Sequence, residues 1–217
     1  MRTLSESSDP GRQPTLALCL LSGTYSAVED FPRQGFPDAV RSHGIAAEIV
    51  MAEVRGSYFA DGSVVNRIRD EVVGPARARG CRRVWLAGIS LGGLAALSFA
   101  ARHEEDLEGV ALIAPYPATA EVLREVESAG DLAQWQPAIG PGGDFEREAW
   151  RWLGRSRNGR VAVHCYLAAG DRFARGQQRM AATLDAANVR QLPGEHDWSA
   201  WRTLWNEFLS TNKGVLA

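Results

Sequence analysis

Short, almost uninterrupted apolar runs alternate along this chain with longer stretches of helical period. The runs Thr15–Leu21, Ala47–Val54, Arg83–Ala87, Gly109–Ala114, Arg160–Ala168 and Val189–Leu192 predict six strands. Gly35–Ser42, Val64–Arg79, Leu91–Arg102, Ala120–Ser128, Gly176–Ala187 and Ala200–Leu209 predict the intervening and closing helices. Gly80, directly after Arg79, is a common helix stop. Parallel neighbours need a crossover of about this length, so the alternation reads as βαβ units and a mainly parallel sheet. Several strands are apolar at nearly every position, which requires helices on both faces. The expected fold class is α/β, doubly wound, in one domain spanning residues 15–217.

Two segments break the pattern. Met1–Pro14 is polar, with Ser, Asp, Gly and Pro scattered through it, and reads as a flexible leader. Pro115–Asn158 is long for a single crossover and rich in Pro, Gly and Trp, including Gly140-Pro141-Gly142-Gly143, Trp150 and Trp152. A long excursion inside a compact α/β domain is more often functional than idle, so it is expected to form a small lid; the alternative is an insertion packed on the outside.

Composition narrows the function classes. The 217 residues carry 24 Lys+Arg against 26 Asp+Glu, a formal net charge of -2, so there is no basic excess to recommend a nucleic-acid partner. The arginine-rich stretch Arg151 to Arg160 is broken by Trp152, Gly154 and Asn158 and reads as a solvated helix end and loop. The leader has no apolar start, and the Leu16–Leu21 run is too short to span a bilayer, so neither a signal peptide nor a membrane anchor is expected. Cysteine is present 3 times at scattered spacing, and Cys19 and Cys165 lie in strand-like runs. They read as small buried hydrophobes of a reducing compartment, and the chain is expected to be cytoplasmic. Its oligomeric state is open.

The chemistry centres on Gly88-Ile89-Ser90-Leu91-Gly92, which falls between the apolar run Val84–Ala87 and a helical run. A sharp strand-to-helix turn exposes a serine hydroxyl beside a helix N-terminus, which favours developing negative charge. A serine nucleophile then needs a base, and the base a third group to hold its tautomer. Of the four histidines, His43 and His103 stand at predicted helix ends and His164 falls mid-strand. Only His196, in the loop Gly194-Glu195-His196-Asp197-Trp198 after the last strand, should reach the carboxyl edge of the sheet. Asp171, after strand Arg160–Ala168 and Gly170, projects at the same edge. Glu195 and Asp197 adjoin the histidine and diverge from its ring, and Asp144 and Glu146 lie in the excursion. Two backbone N–H groups should form an oxyanion hole. One is Leu91, after the serine; the other is Thr24 in the loop Leu21-Ser22-Gly23-Thr24-Tyr25, with Tyr25 as the alternative. Tyr25, Tyr58, Phe59, Tyr116, Trp135 and Trp150 are candidates for an apolar pocket wall.

The elbow Gly88–Gly93, Gly170-Asp171 after a strand and the Gly194–Trp198 loop with Trp201 beyond it resemble the α/β-hydrolase superfamily from Thr15 to about Leu209. The histidine loop is similar to that of esterase D-like and tributyrin-esterase-like enzymes. Ser22-Gly23 stands where a common form of the family has His-Gly. The resemblance implies a trimmed α/β-hydrolase fold, its six strands in spatial order 2-1-3-4-5-6. It also implies a Ser90-Asp171-His196 triad hydrolysing a small-molecule carboxylic ester or thioester through an acyl-enzyme, with no metal or cofactor. The order reverses between the first and third strands, where open α/β sheets bind ligands. Because fold does not fix function, acyl transfer, C–C bond cleavage and a non-catalytic binding module stay as alternatives.

Overall fold

A computed structural model describes residues 1–140, 143–156 and 159–217. Its sheet has seven strands: β1 (Thr3–Ser7), β2 (Leu16–Leu21), β3 (Ala47–Ala52), β4 (Arg83–Ile89), β5 (Gly109–Ile113), β6 (Ala162–Ala168) and β7 (Val189–Leu192). They lie in the order β1-β3-β2-β4-β5-β6-β7, with β1 antiparallel to β3 and every other pair parallel. The six expected strands and their order are present.

The seventh strand corrects the reading of the leader. Thr3 pairs with Ala52 and Ser7 with Glu48, so the polar N-terminus extends the sheet instead of standing apart from it. An edge strand has a single neighbour and keeps most of its side chains in water, so the apolar run that marks an interior strand is not required.

The two faces explain why interior strands are apolar throughout. Along β2, Leu16, Leu18 and Leu20 pack with Phe31, Phe36, Trp205 and Phe208, while Ala17, Cys19 and Leu21 pack with Leu94, Leu97 and Phe99. The first face is covered by α1 (Asp30–Arg33), α2 (Phe36–Ser42) and the C-terminal α10 (Trp198–Leu216). The second is covered by a helix of two segments, α4 (Val64–Ile68) and α5 (Gly74–Ala78), and by α6 (Leu91–His103) and α8 (Phe145–Arg155). A short α3 (Gly56–Ala60) precedes α4, and a wider π turn over Arg69–Val73 joins α4 to α5, just before Pro75, which lacks the N–H for a regular helical bond. The remaining helices are α7 (Ala120–Ser128) and α9 (Ala174–Ala181).

The excursion is built largely from α7 and α8. Ala149, Trp150 and Leu153 of α8 are fully buried, and the Trp150 indole N–H donates to the Pro117 carbonyl at 2.9 Å. The Arg147 guanidinium gathers Glu121, Glu125 and Asp144, tying α7 to α8. This part of the excursion therefore packs as a wall on α6. Pro141 and Gly142 of the glycine-rich stretch, and Arg157 and Asn158 of the arginine-rich stretch, lie outside the described residues. Among the described residues no helix is long and apolar enough to cross a membrane.

Candidate active site

Four loops leave the carboxyl ends of β2, β4, β6 and β7 and meet over the point where the strand order reverses. Ser90 follows β4 with φ 51 and ψ -116, a conformation L residues rarely adopt, and its side chain is thereby set ahead of α6. Neighbouring backbone holds the turn: Ser90 N–H donates to the Ile113 carbonyl, and the Ser90 carbonyl accepts from Gly93 and Tyr116 N–H groups at 2.9 Å. The flanking glycines are obligatory on steric grounds. A Cβ on Gly88 would lie 2.1 Å from the Gly92 carbonyl oxygen, and one on Gly92 would lie 2.2 Å from that of Leu21.

His196 bridges the two other residues. Its Nε2 lies 2.9 Å from Ser90 Oγ and its Nδ1 lies 2.6 Å from Asp171 Oδ2. A carboxylate accepts only, so Nδ1 carries the proton, and Nε2 offers its lone pair to the serine hydroxyl. The imidazole stands between two rings, Phe173 at 5.0 Å and Trp201 at 5.2 Å between centroids, both edge-to-face. The loops that carry histidine and acid are themselves joined: Gly170 N–H donates to the Gly194 carbonyl at 2.8 Å.

Asp171 is buried. Burial raises its pKa, but hydrogen bonds from His196, the Phe173 N–H and the Gln177 amide outweigh that effect and hold the carboxyl below its ordinary value. The Phe173 N–H contact, at 2.8 Å, is a local turn contact, while Gln177 Nε2 donates to Oδ2 at 2.9 Å. Asp197, the nearer carboxylate in sequence, is instead the N-cap of α10 and accepts from Ala200 N–H at 2.9 Å.

The other histidines are placed elsewhere. His43 Nδ1 contacts the Ala39 carbonyl at the end of α2, and His103 ends α6 near Glu105. His164 is buried in β6 between the rings of Trp85 and Phe208.

A cavity of about 650 Å³ opens over the bridge; Ser90, Leu91, His196, Thr24 and Tyr25 all contribute to its lining. Leu91 is the first residue of α6, so its N–H has no acceptor inside the helix. Of the aromatic candidates, Tyr25, Phe59 and Tyr116 line the cavity. Tyr58 lies under the Arg67 guanidinium, and Trp150 belongs to the core. Trp135 packs on the core without reaching this cavity. Burial, then the nearby Glu146 carboxylate, pushes the Tyr116 hydroxyl up to about 12, so it stays protonated at neutral pH. Phe145, Phe173 and Leu94 complete the apolar wall without having been singled out in the sequence. Gln177 was also missed. The signal for it is a polar residue in the buried stripe of α9, beside Gly176 and Met180.

No protein-family model and no curated protein matches the sequence. Solved structures do. The chain is similar to Est1E from Butyrivibrio proteoclasticus, with TM-score 0.66 and 12% identity over 98% of this chain and 94% of that one. It is similar to S-formylglutathione hydrolase (FrmB) from Staphylococcus aureus, with TM-score 0.59 and 16% identity over 91% and 81%. It also resembles the Paleococcus ferrophilus monoacylglycerol lipase, with TM-score 0.59 and 13% identity over 97% and 100%. At these identities the likeness defines the fold: this is an α/β-hydrolase fold, shared with esterases and lipases. Within it lies a buried Ser90–His196–Asp171 hydrogen-bonded network.

Proposed function

We propose that this protein is a serine hydrolase that cleaves carboxylic esters or thioesters through an acyl-enzyme. The observation that supports this most is the single imidazole within hydrogen-bond reach of both a cavity-lining hydroxyl and a buried carboxylate. Ser90 Oγ attacks the acyl carbonyl as His196 Nε2 takes its proton, and Asp171 stabilises the imidazolium so formed. The proton returns to the departing alkoxide or thiolate, and water then repeats the sequence to free the acid. The N–H groups of Leu91 and Thr24 hold the oxyanion; each such donor contributes about 2.7–4 kcal/mol where it has been removed elsewhere. The apolar wall of Phe59, Leu94, Phe145 and Phe173 suits an apolar acyl or aryl group. A structure of Est1E with ferulic acid bound is consistent with a small ester of that kind.

A fluorophosphonate probe should add its mass to Ser90, and Ser90→Ala should abolish the labelling. The same protein should hydrolyse p-nitrophenyl esters of graded chain length or acyl-CoA thioesters with water as acceptor. Labelling elsewhere, or none in folded protein, overturns the assignment; acyl release only on addition of an alcohol or amine turns it into a transferase.

A further inference from the structure

Three charged side chains line the cavity beside the network: Asp144, Glu146 and Arg172. Protein groups already answer both acids. Asp144 accepts from the Arg147 N–H at 2.9 Å and from its guanidinium at 2.6 Å. Glu146 accepts from the Thr119 N–H at 2.8 Å, the Thr119 hydroxyl at 2.7 Å and the Tyr116 hydroxyl at 3.4 Å. Arg172 has no such answer: among the described residues no carboxylate pairs with it. The Asp171 carboxylate next to it in sequence is taken up by His196, Phe173 and Gln177. The guanidinium lies over the Phe173 ring, 4.9 Å from its centroid, and Phe173 is the ring that meets His196 edge-on.

A guanidinium that no carboxylate holds, at the edge of a mainly apolar cavity, keeps its N–H donors free for an incoming anion; against it stands Glu146, whose charge only neutral donors meet. Guanidinium is the side chain best shaped to receive a carboxylate or phosphate through paired donors, and stacking on an aromatic face limits its motion. We propose that Arg172 makes this site selective for esters or thioesters carrying an anionic group, a carboxylate or a phosphate, remote from the scissile carbonyl. The inference rests on the hydrolase reading above and names its substrate class.

Three matched pairs test it and separate the sources of the anion. The p-nitrophenyl monoester of adipic acid is compared with p-nitrophenyl hexanoate for an acyl-side carboxylate. The butyrate ester of 4-hydroxybenzoate is compared with that of its methyl ester for a leaving-group carboxylate. Butyryl-CoA is compared with butyryl-N-acetylcysteamine for phosphate. In at least one pair the anionic member should have the larger kcat/KM, by up to roughly fivefold at low salt, the upper range of a solvent-exposed ion pair. That ratio should shrink in 0.5 M NaCl as the charges are screened. It should fall to near one in Arg172→Gln, invert in Arg172→Glu and survive in part in Arg172→Lys. Absence of an anionic preference in all three pairs, or a preference unchanged in Arg172→Glu, overturns the proposal while leaving the hydrolase intact. A hydrolase that does not exist gives a different result, with neither member of any pair turned over and Ser90 unlabelled, and takes this proposal with it.

Discussion

Gln177 donates one amide proton to Asp171 Oδ2 at 2.9 Å and the other to the Pro115 carbonyl at 3.0 Å. One buried amide thereby ties the loop after β6, which carries the acid, to the loop after β5, whose Tyr116 N–H clamps the Ser90 carbonyl. The reversed amide would set its oxygen against a carbonyl and a carboxylate, so its orientation is fixed even though Oε1 has no partner among the described residues.

Gln177 should therefore position the acid. A hydrogen bond to a charged group is worth about 1.5–3 kcal/mol, so Gln177→Leu should lower kcat by roughly tenfold or more with KM little changed. Losing the donor also weakens the hold on the Asp171 carboxylate, so the acid limb of the kcat/KM profile should move to higher pH. Gln177→Glu, which sets a second carboxyl against Asp171, should be worse than Leu. A purely structural residue would lower Tm in both variants and leave the pH profile where it was.

His164 should make stability pH-dependent well above the carboxylate range. Burial between Trp85 and Phe208, with Arg190 adding repulsion, pushes its pKa down to about 4 from an ordinary 6.5. Between those values the unfolded chain binds a proton that the native one does not, so stability falls as the pH is lowered from 6.5 to 4. The full span corresponds to about 3 kcal/mol. His164→Phe should flatten urea-derived stability over that window; an unchanged slope would place the dependence elsewhere.

What the sequence discloses follows from how many neighbours each segment has. Strands β2 and β4–β6 are covered on both faces and read as apolar runs, and Ser90, Asp171 and His196 each stand in a loop directly after a strand. Strand β1 escapes notice because it pairs on one side only, so Thr3–Ser7 needs no apolar signature. Helix α8 hides its buried stripe of Ala149, Trp150 and Leu153 among charged and glycine residues. Helix α9 ends at Ala181, short of the expected Ala187, because the chain turns there with the Thr183 hydroxyl on the Met180 carbonyl. Gln177, Phe173 and Trp201 acquire meaning only from what tertiary structure sets beside them: a carboxylate for the first, an imidazole for the other two.

The elbow glycines should tolerate no side chain. In Gly92→Ala the new Cβ would meet the Leu21 and Ser22 carbonyl oxygens at 2.2 and 2.8 Å, and backbone cannot rotate away. Overpacking of this kind costs about 1–3 kcal/mol or more, and a chain of this size loses roughly 2–4 °C of Tm per kcal/mol. Gly214, in α10 with nothing within 4 Å of an added Cβ, is the contrast. Gly214→Ala should raise stability by about 0.4–1 kcal/mol through the unfolded chain. Thermal melts of the two variants should diverge in sign.

The thiols should be silent in the native state. Cys19, Cys81 and Cys165 are free and buried, and burial pushes Cys19 and Cys165 up to about 12. A thiol-disulfide reagent at pH 8 should leave native protein unmodified and react fully after denaturation. A rapidly reacting cysteine in folded protein would mean that a buried strand opens easily.

Asp171→Asn separates the electrostatic work of the acid from its shape. The amide fills the same space, but its N–H₂ can donate to His196 Nδ1, which favours the tautomer with the proton on Nε2. That proton then faces Ser90 Oγ, where the proposed mechanism needs a lone pair. By the measured effect of this replacement in other triads, kcat should fall by about 10⁴. The fold should change less, and in a direction set by linkage. Because the native Asp171 pKa lies below its ordinary 3.8, ionised Asp171 stabilises the protein above that value and the contribution is lost as the pH falls through the native pKa. The variant should therefore unfold less steeply in acid than the wild type while remaining folded at neutral pH. Circular dichroism across an acid titration, read beside p-nitrophenyl ester turnover, checks both halves. Near-wild-type turnover would remove Asp171 from the proposed mechanism.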